Sequence, residues 1–224
     1  MNGARPGASR LDVLWAIVAP QLPTQDVAHD RDHVLRVVGW AARLAAEIGA
    51  DVELARAAGM VHDLVNIPKD HPDRPLGGER SAQAARGLLE AAGFDPSETA
   101  AVVEAVRTCS WSRGLRPTGP LGRVLQQADR LDAIGALGAA RCFATCQAMA
   151  VSGRGSRFYD PADPMGDSGR ALDDVRNAAD HFRRKLLLLA DGMDIPSAVA
   201  EAQQRQAVML ALLAALDREA RSAD

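Results

Sequence analysis

Apolar residues recur at helical spacing along most of this chain, and Val, Thr and Ile form no period-two runs of the kind a half-buried strand needs. Leu11, Leu14, Trp15 and Val18 fall on one helical face, and Val34, Val37, Val38, Ala41 and Leu44 fall on another. Ala, Leu, Arg and Glu, which suit helices, accumulate in long stretches, whereas aromatic residues make up only 4%. The expected fold class is therefore all-α. With 224 residues, 47% of them apolar, the chain can bury a substantial core. No repeat or linker divides it, so it reads as one domain over 11–224. Residues 1–10, with Gly3, Pro6 and Gly7 and few large apolar side chains, read as a disordered lead-in.

Local signals set the expected helix limits. Pro20 and Pro23 end the first helix, and a second runs over 32–48 with Gly49 as its stop. A third begins at the capping residue Asp51 and breaks near Ile67, because Pro68 disfavours helical geometry in the residue before it. His62 and Asp63 then lie in its last turns. The run PKDHPDRPLGG over 68–78 is loop chemistry, long enough to fold over a site as a lid. Helices are expected at 81–92, 96–108, 121–151, 171–190 and 197–221, with loops at 110–120 and 152–169.

Charge and cysteine content exclude several partners. A net charge of −3 gives no clustered basic face for duplex nucleic acid. Cys109, Cys142 and Cys146 are odd in number and lack zinc-ribbon spacing, so they read as reduced thiols of a cytoplasmic protein. Arg5 and Arg10 precede the apolar stretch 11–22 as in a signal sequence, but Asp12 interrupts it and no small-residue cleavage site follows. No stretch is long and apolar enough to span a bilayer, so no membrane partner is expected; a homodimer is left open.

Ionisable side chains inside apolar helices carry the functional signal, since a buried charge is costly unless paired or bound to a metal. His33 opens the second helix, His62 and Asp63 sit in AAGMVHDLV, and Asp129 interrupts VLQQADRLDAIGALGAA. Two imidazoles and two carboxylates make a mixed nitrogen and oxygen set suited to Mn, Fe, Co, Ni or Zn. Four protein ligands on an ion that accepts six leave room for water and a phosphate oxygen, which is a hydrolase layout. Taken singly, residues of these four types are more often caps, hydrogen-bonded partners or salt-bridge members than ligands.

The order H…HD…D on helices resembles the signature of the HD-domain superfamily of metal-dependent phosphohydrolases. The stretches AHDRDHVLRVV (28–38), MVHDLVNIPKDHPDR (60–74), VLQQADRLDAIGALGAARCFA (124–144), FYDPADP (158–164) and DHFRRKLLLL (180–189) are similar to its YedJ/YpgQ-like branch, over nearly the whole chain after residue 10. The resemblance implies a helical HD domain that binds a divalent ion (Mn, Mg, Ni, Co, Fe or Zn) through His33, His62, Asp63 and Asp129. It further implies hydrolysis of a small phosphorylated substrate, a nucleotide, at a phosphomonoester or phosphoanhydride bond by metal-bound water. Two positions depart from relatives. Asn66 and Ile67 stand where some HD pyrophosphohydrolases have acidic residues, and Cys109 in RTCSWS stands where related sequences often have His.

Further roles rest on position. Lys69, one of only two lysines, follows the His-Asp pair and suits a phosphate contact, as catalytic assistant to Asp63 and as substrate ligand. Asn66 is placed to orient a water. Arg36, one turn after His33, is placed to orient a ligand carboxylate or contact substrate, with a structural ion pair as the commoner use, and Asp132 lies on nearly the same face as Asp129, where it suits a base or sugar contact. Arg130 reads as a surface ion-pair member, His29, His71 and His181 as loop or structural residues, and Cys142 and Cys146 as core packing. Arg154, Arg157 and Tyr159 sit on a loop expected to be mobile. One alternative is a metal-binding module that senses a nucleotide with little or no catalysis, for which Cys109 is the sequence support. An iron oxygenase of the same superfamily would need an additional bridging carboxylate or histidine, and none is identifiable.

Overall fold

The computed structural model describes residues 7–24, 26, 28, 30–67 and 71–221. The expectations placed on Lys69, His29 and residues 1–6 fall outside them. Among the described residues the regular structure is helical, with a single isolated bridge between Arg157 and Asn177 and no strand. The all-α expectation holds. No single helix among these residues is long and apolar enough to cross a membrane. The sequence reads as one domain, whereas its packing divides into two compact units, Met1–Asp129 and Arg130–Asp224.

The first unit holds α1 (Arg10–Val18), α2 (Arg31–Ile48), α3 (Val52–Val61), α4 (Gly77–Ala91), α5 (Pro96–Thr108) and most of α6 (Gly119–Asp132). Ser9 caps α1, so the helix begins inside the expected lead-in. Asp30 caps α2 and Asp51 caps α3, each accepting a backbone N–H three residues on, as short side chains do at helix starts. Gly49 ends α2 in the left-handed conformation, φ 70°, as its place in the sequence predicts. Leu14, Val18, Val37, Ala41, Leu44, Ala58, Val61, Leu89, Val102, Val106 and Leu125 are fully buried between these helices. Arg10 bridges Glu53 and Glu98 at 2.6 Å each and so ties α1 to α3 and α5.

Several helix limits differ from expectation. First, α3 stops at Val61 rather than near Ile67, because the His62 ring takes a carbonyl of the last turn, as described below. Second, α4 starts at Gly77, four residues early, fed by a 3-10 turn at Arg74–Leu76, so the expected 68–78 loop is shorter. Third, the helix expected over 121–151 is two, α6 and α7 (Gly135–Met149), with Gly135 at φ +83°. A Cβ at Gly138 would lie 2.3 Å from the Ala133 carbonyl oxygen, so only glycine admits this tight start of α7.

The second unit holds α7, α8 (Ala178–Arg184) and α9 (Pro196–Arg221), with Phe182, Leu189, Ile195 and Met209 fully buried or nearly so. The helix expected over 171–190 is cut to α8. The Asp173 carboxylate accepts the N–H groups of Val175 and Arg176, and fully buried Asp180 accepts from Arg170, the Asp173 N–H and Asn177. Such side-chain acceptors satisfy backbone donors locally and compete with helix formation.

Candidate metal centre

Two helices supply the buried half of the site. The Asp30 carboxylate accepts the His33 N–H at 3.0 Å, which starts α2 so that the His33 ring falls on its buried side, 0% exposed. Against it runs α3, which meets α2 closely at Gly59. A Cβ there would stand 3.0 Å from Val38 Cγ2 and 3.1 Å from Val38 Cα, so a side chain would force the two helices apart.

Gly59 has a second use. Its carbonyl lies 2.8 Å from His62 Nδ1 and can only accept, so the proton sits on Nδ1 and the lone pair on Nε2. That Nε2 stands 3.2 Å from His33 Nε2, with the rings edge to face at 5.2 Å between centroids. Asp63, just past the end of α3, brings Oδ2 to 3.6 Å from His33 Nε2 and 3.7 Å from His62 Nε2. Asp129 on α6 brings Oδ1 to 3.8 Å from His62 Nε2. His33, His62 and Asp129 offer ligand atoms that all lie within 4.8 Å of one another.

This donor set fits a divalent ion. Bonds of about 2.1 Å place neighbouring ligand atoms roughly 3.0–3.4 Å apart around one ion, close to the distances found. A ring nitrogen that keeps its lone pair because the other nitrogen donates to a carbonyl is the usual state of a ligating histidine. The two imidazoles are buried, whereas the carboxylates of Asp63 and Asp129 are 36% and 32% exposed, so solvent reaches the site over its oxygen side.

Cys109, the departure noted in the sequence, is at this centre: its Sγ lies 4.0 Å from Asp129 Oδ2. Burial pushes its thiol well above the ordinary cysteine value, and the charges of Asp129 and Asp63 add to the effect.

The remaining expected site residues are placed as follows. Asn66 accepts from Arg74 at 3.0 Å and donates to Asp26 at 3.4 Å. Arg74 also donates to the Ile67 carbonyl, so it pins the strand of chain after Asp63. Arg36 lies three residues after His33 on α2. Asp132 is fully buried and held by Arg141 at 2.6 Å. Arg130 corrects the surface reading: it is 4% exposed and donates to the carbonyls of Leu189, at 2.8 Å, and Asp191, so it supports backbone inside the second unit. His71 is exposed and accepts from the Asp73 N–H, and His181 pairs with Asp174 at 2.8 Å. Arg157 donates to Asn177 and its backbone pairs with that segment, which anchors the start of a loop expected to be mobile. Gly59 and Asp30 escape sequence reasoning as site residues because their contribution is a carbonyl and a cap.

The HD domain family matches residues 31–134, which include all four converging side chains. YpgQ of Bacillus subtilis, an uncharacterised protein, is 30% identical over 202 residues, 88% of this chain and 87% of its own. The chain belongs to the HD domain family, in its YpgQ-like branch. The crystal structure of YpgQ in complex with ADP is similar with a TM-score of 0.69, 28% identity and coverage of 93% of this chain and 97% of that one. A Lactobacillus plantarum protein matches with TM-score 0.74 and 29% identity over 96% and 98% of the two chains. An HD-superfamily hydrolase from Bacillus thuringiensis matches with TM-score 0.67 and 26% identity over 94% and 96%.

Proposed function

We propose that this chain is a metal-dependent phosphohydrolase that cleaves a phosphomonoester or phosphoanhydride bond of a nucleotide. The observation that carries the reading is the convergence of His33, His62 and Asp129, with Asp63 beside them, around a space whose nitrogen side is buried and whose oxygen side is open. His33, His62, Asp63 and Asp129 would hold the ion. A divalent metal so bound lowers the pKa of a water and offsets charge on phosphoryl oxygens.

The chain's own groups do the rest. The Gly59 carbonyl fixes the His62 tautomer, and the Asp63 and Asp129 carboxylates balance the ion's two positive charges and accept protons from water in reach. Lys69 is assigned to the phosphate and Asn66 and Arg36 to orienting water or substrate, whereas Asp132, fully buried and paired with Arg141, has a structural role in place of the expected base or sugar contact. The nucleotide class is supported by the ADP complex of YpgQ. Cys109, where related sequences often have His, favours a second reading, a nucleotide-sensing module without turnover.

Phosphate release from nucleoside mono-, di- and triphosphates, each supplemented in turn with Mn, Co, Ni, Mg and Zn, separates the two. Turnover is expected with at least one pair, and loss of at least about 100-fold in His62→Ala and Asp63→Ala. Metal binding without turnover on any of these substrates would leave the sensing module standing.

A further inference from the structure

Cys109 caps the end of α5 and is 6% exposed, and its surroundings fix where it stands. Thr108 Oγ1 donates to the Glu104 carbonyl at 2.9 Å, and the Thr108 carbonyl accepts from Gln126 Nε2 at 3.5 Å. Gln126, 6% exposed, donates also to the Leu115 carbonyl at 3.3 Å. Gln126 and Asp129 are three residues apart on α6 and share a face. The end of α5 is thus fastened to α6 one turn ahead of Asp129.

From that position the two oxygens of Asp129 meet different groups. Oδ1 is the oxygen 3.8 Å from His62 Nε2, and Oδ2 is the oxygen 4.0 Å from Cys109 Sγ, the long end of a contact to sulfur. A carboxylate free to rotate offers an ion either oxygen, or both. One whose second oxygen is engaged by a donor offers one.

We propose that Cys109 is a positioning residue whose S–H donates to Asp129 Oδ2 and thereby presents Oδ1 as a single-oxygen ligand beside His33 and His62. The sulfur itself stays outside the ligand set. This rests on the metal reading above. Carboxylate ligands are commonly held by such a second partner, whose loss costs about 10–100-fold in metal affinity. A cysteine that merely fills space would behave as a small apolar side chain, and its replacement by alanine would alter stability without altering the ion's affinity.

Cobalt(II) titration of the whole protein distinguishes these roles, with far-ultraviolet circular dichroism and metal-free melting run on each variant. The wild type is expected to show the visible absorption of bound cobalt without the near-ultraviolet band that sulfur-to-cobalt charge transfer produces. Cys109→Ser, which keeps a donor, should bind within about threefold of wild type, and Cys109→Ala should bind about 10–100-fold more weakly. A sulfur-to-cobalt band in the wild type, equal binding by Cys109→Ala, or a serine variant no better than alanine would each overturn the assignment. If Cys109→Ala does not fold, the wild-type spectrum and a serine variant weakened beyond tenfold still decide. Failure of the wild type to bind cobalt would instead overturn the metal reading on which the assignment stands.

Discussion

At the scale of single residues, the site depends on one glycine as much as on its ligands. Gly59 lets α2 and α3 close and lends its carbonyl to His62, so the distance between the two histidines and the tautomer of one of them are set together. Gly59→Ala is expected to cost about 1–3 kcal/mol of stability by overpacking, read as a lower urea midpoint, and to weaken cobalt binding. A variant with unchanged midpoint and unchanged affinity would show that α2 and α3 have slack there. The four ligand candidates were legible in the sequence because a charge inside an apolar helix needs a reason to be there. Gly59 was not, since a glycine within an Ala-rich helix leaves no trace of the Val38 it meets on another helix. Nor could spacing show that Cys109, 20 residues before Asp129, touches it.

Elements were legible where caps and stops are local and illegible where side chains compete with the backbone. Asp51 and Gly49 mark their helix ends in sequence and in structure alike. The kink between α6 and α7 was read through because Gly135 and Gly138 look like tolerated helix glycines. At φ +83° and with Arg205 Cγ 2.9 Å from where a Cβ would stand, Gly135→Ala should cost about 1–3 kcal/mol, measurable by chemical denaturation. Full stability in that variant would mean that the turn rebuilds without a left-handed residue. The shortened α8 follows from Asp180. Burial alone would raise its carboxyl, but Arg170, Asn177 and the Asp173 N–H outweigh that and hold it below the ordinary value of 3.8. A depressed folded-state pKa gives stability that is present above the unfolded-state value and is lost as pH falls through the folded-state value. The wild type should therefore lose stability more steeply below pH 3.8 than Asp180→Asn, whose amide cannot titrate. Parallel curves of urea midpoint against pH would remove Asp180 from the acid response.

For the molecule as a whole, an ion that binds the folded chain and not the unfolded one adds stability by mass action, about 2.7 kcal/mol at 100 times its Kd. Melting of the dialysed protein should rise on adding Mn or Co and fall back with a chelator, and the rise should vanish in His62→Ala. An equal rise in that variant would place the stabilising ion elsewhere. Membership of the HD family was legible because its motifs lie within continuous strings of the chain. The uneven exposure of the four ligand candidates has a kinetic consequence. Imidazoles form a closed wall and carboxylates a mouth, so an ion bound there would load and leave from one side without any helix parting. Exchange should be quick, and the ion recovered from the protein should reflect both the abundance and the affinity of the divalent ions in the last dialysis buffer.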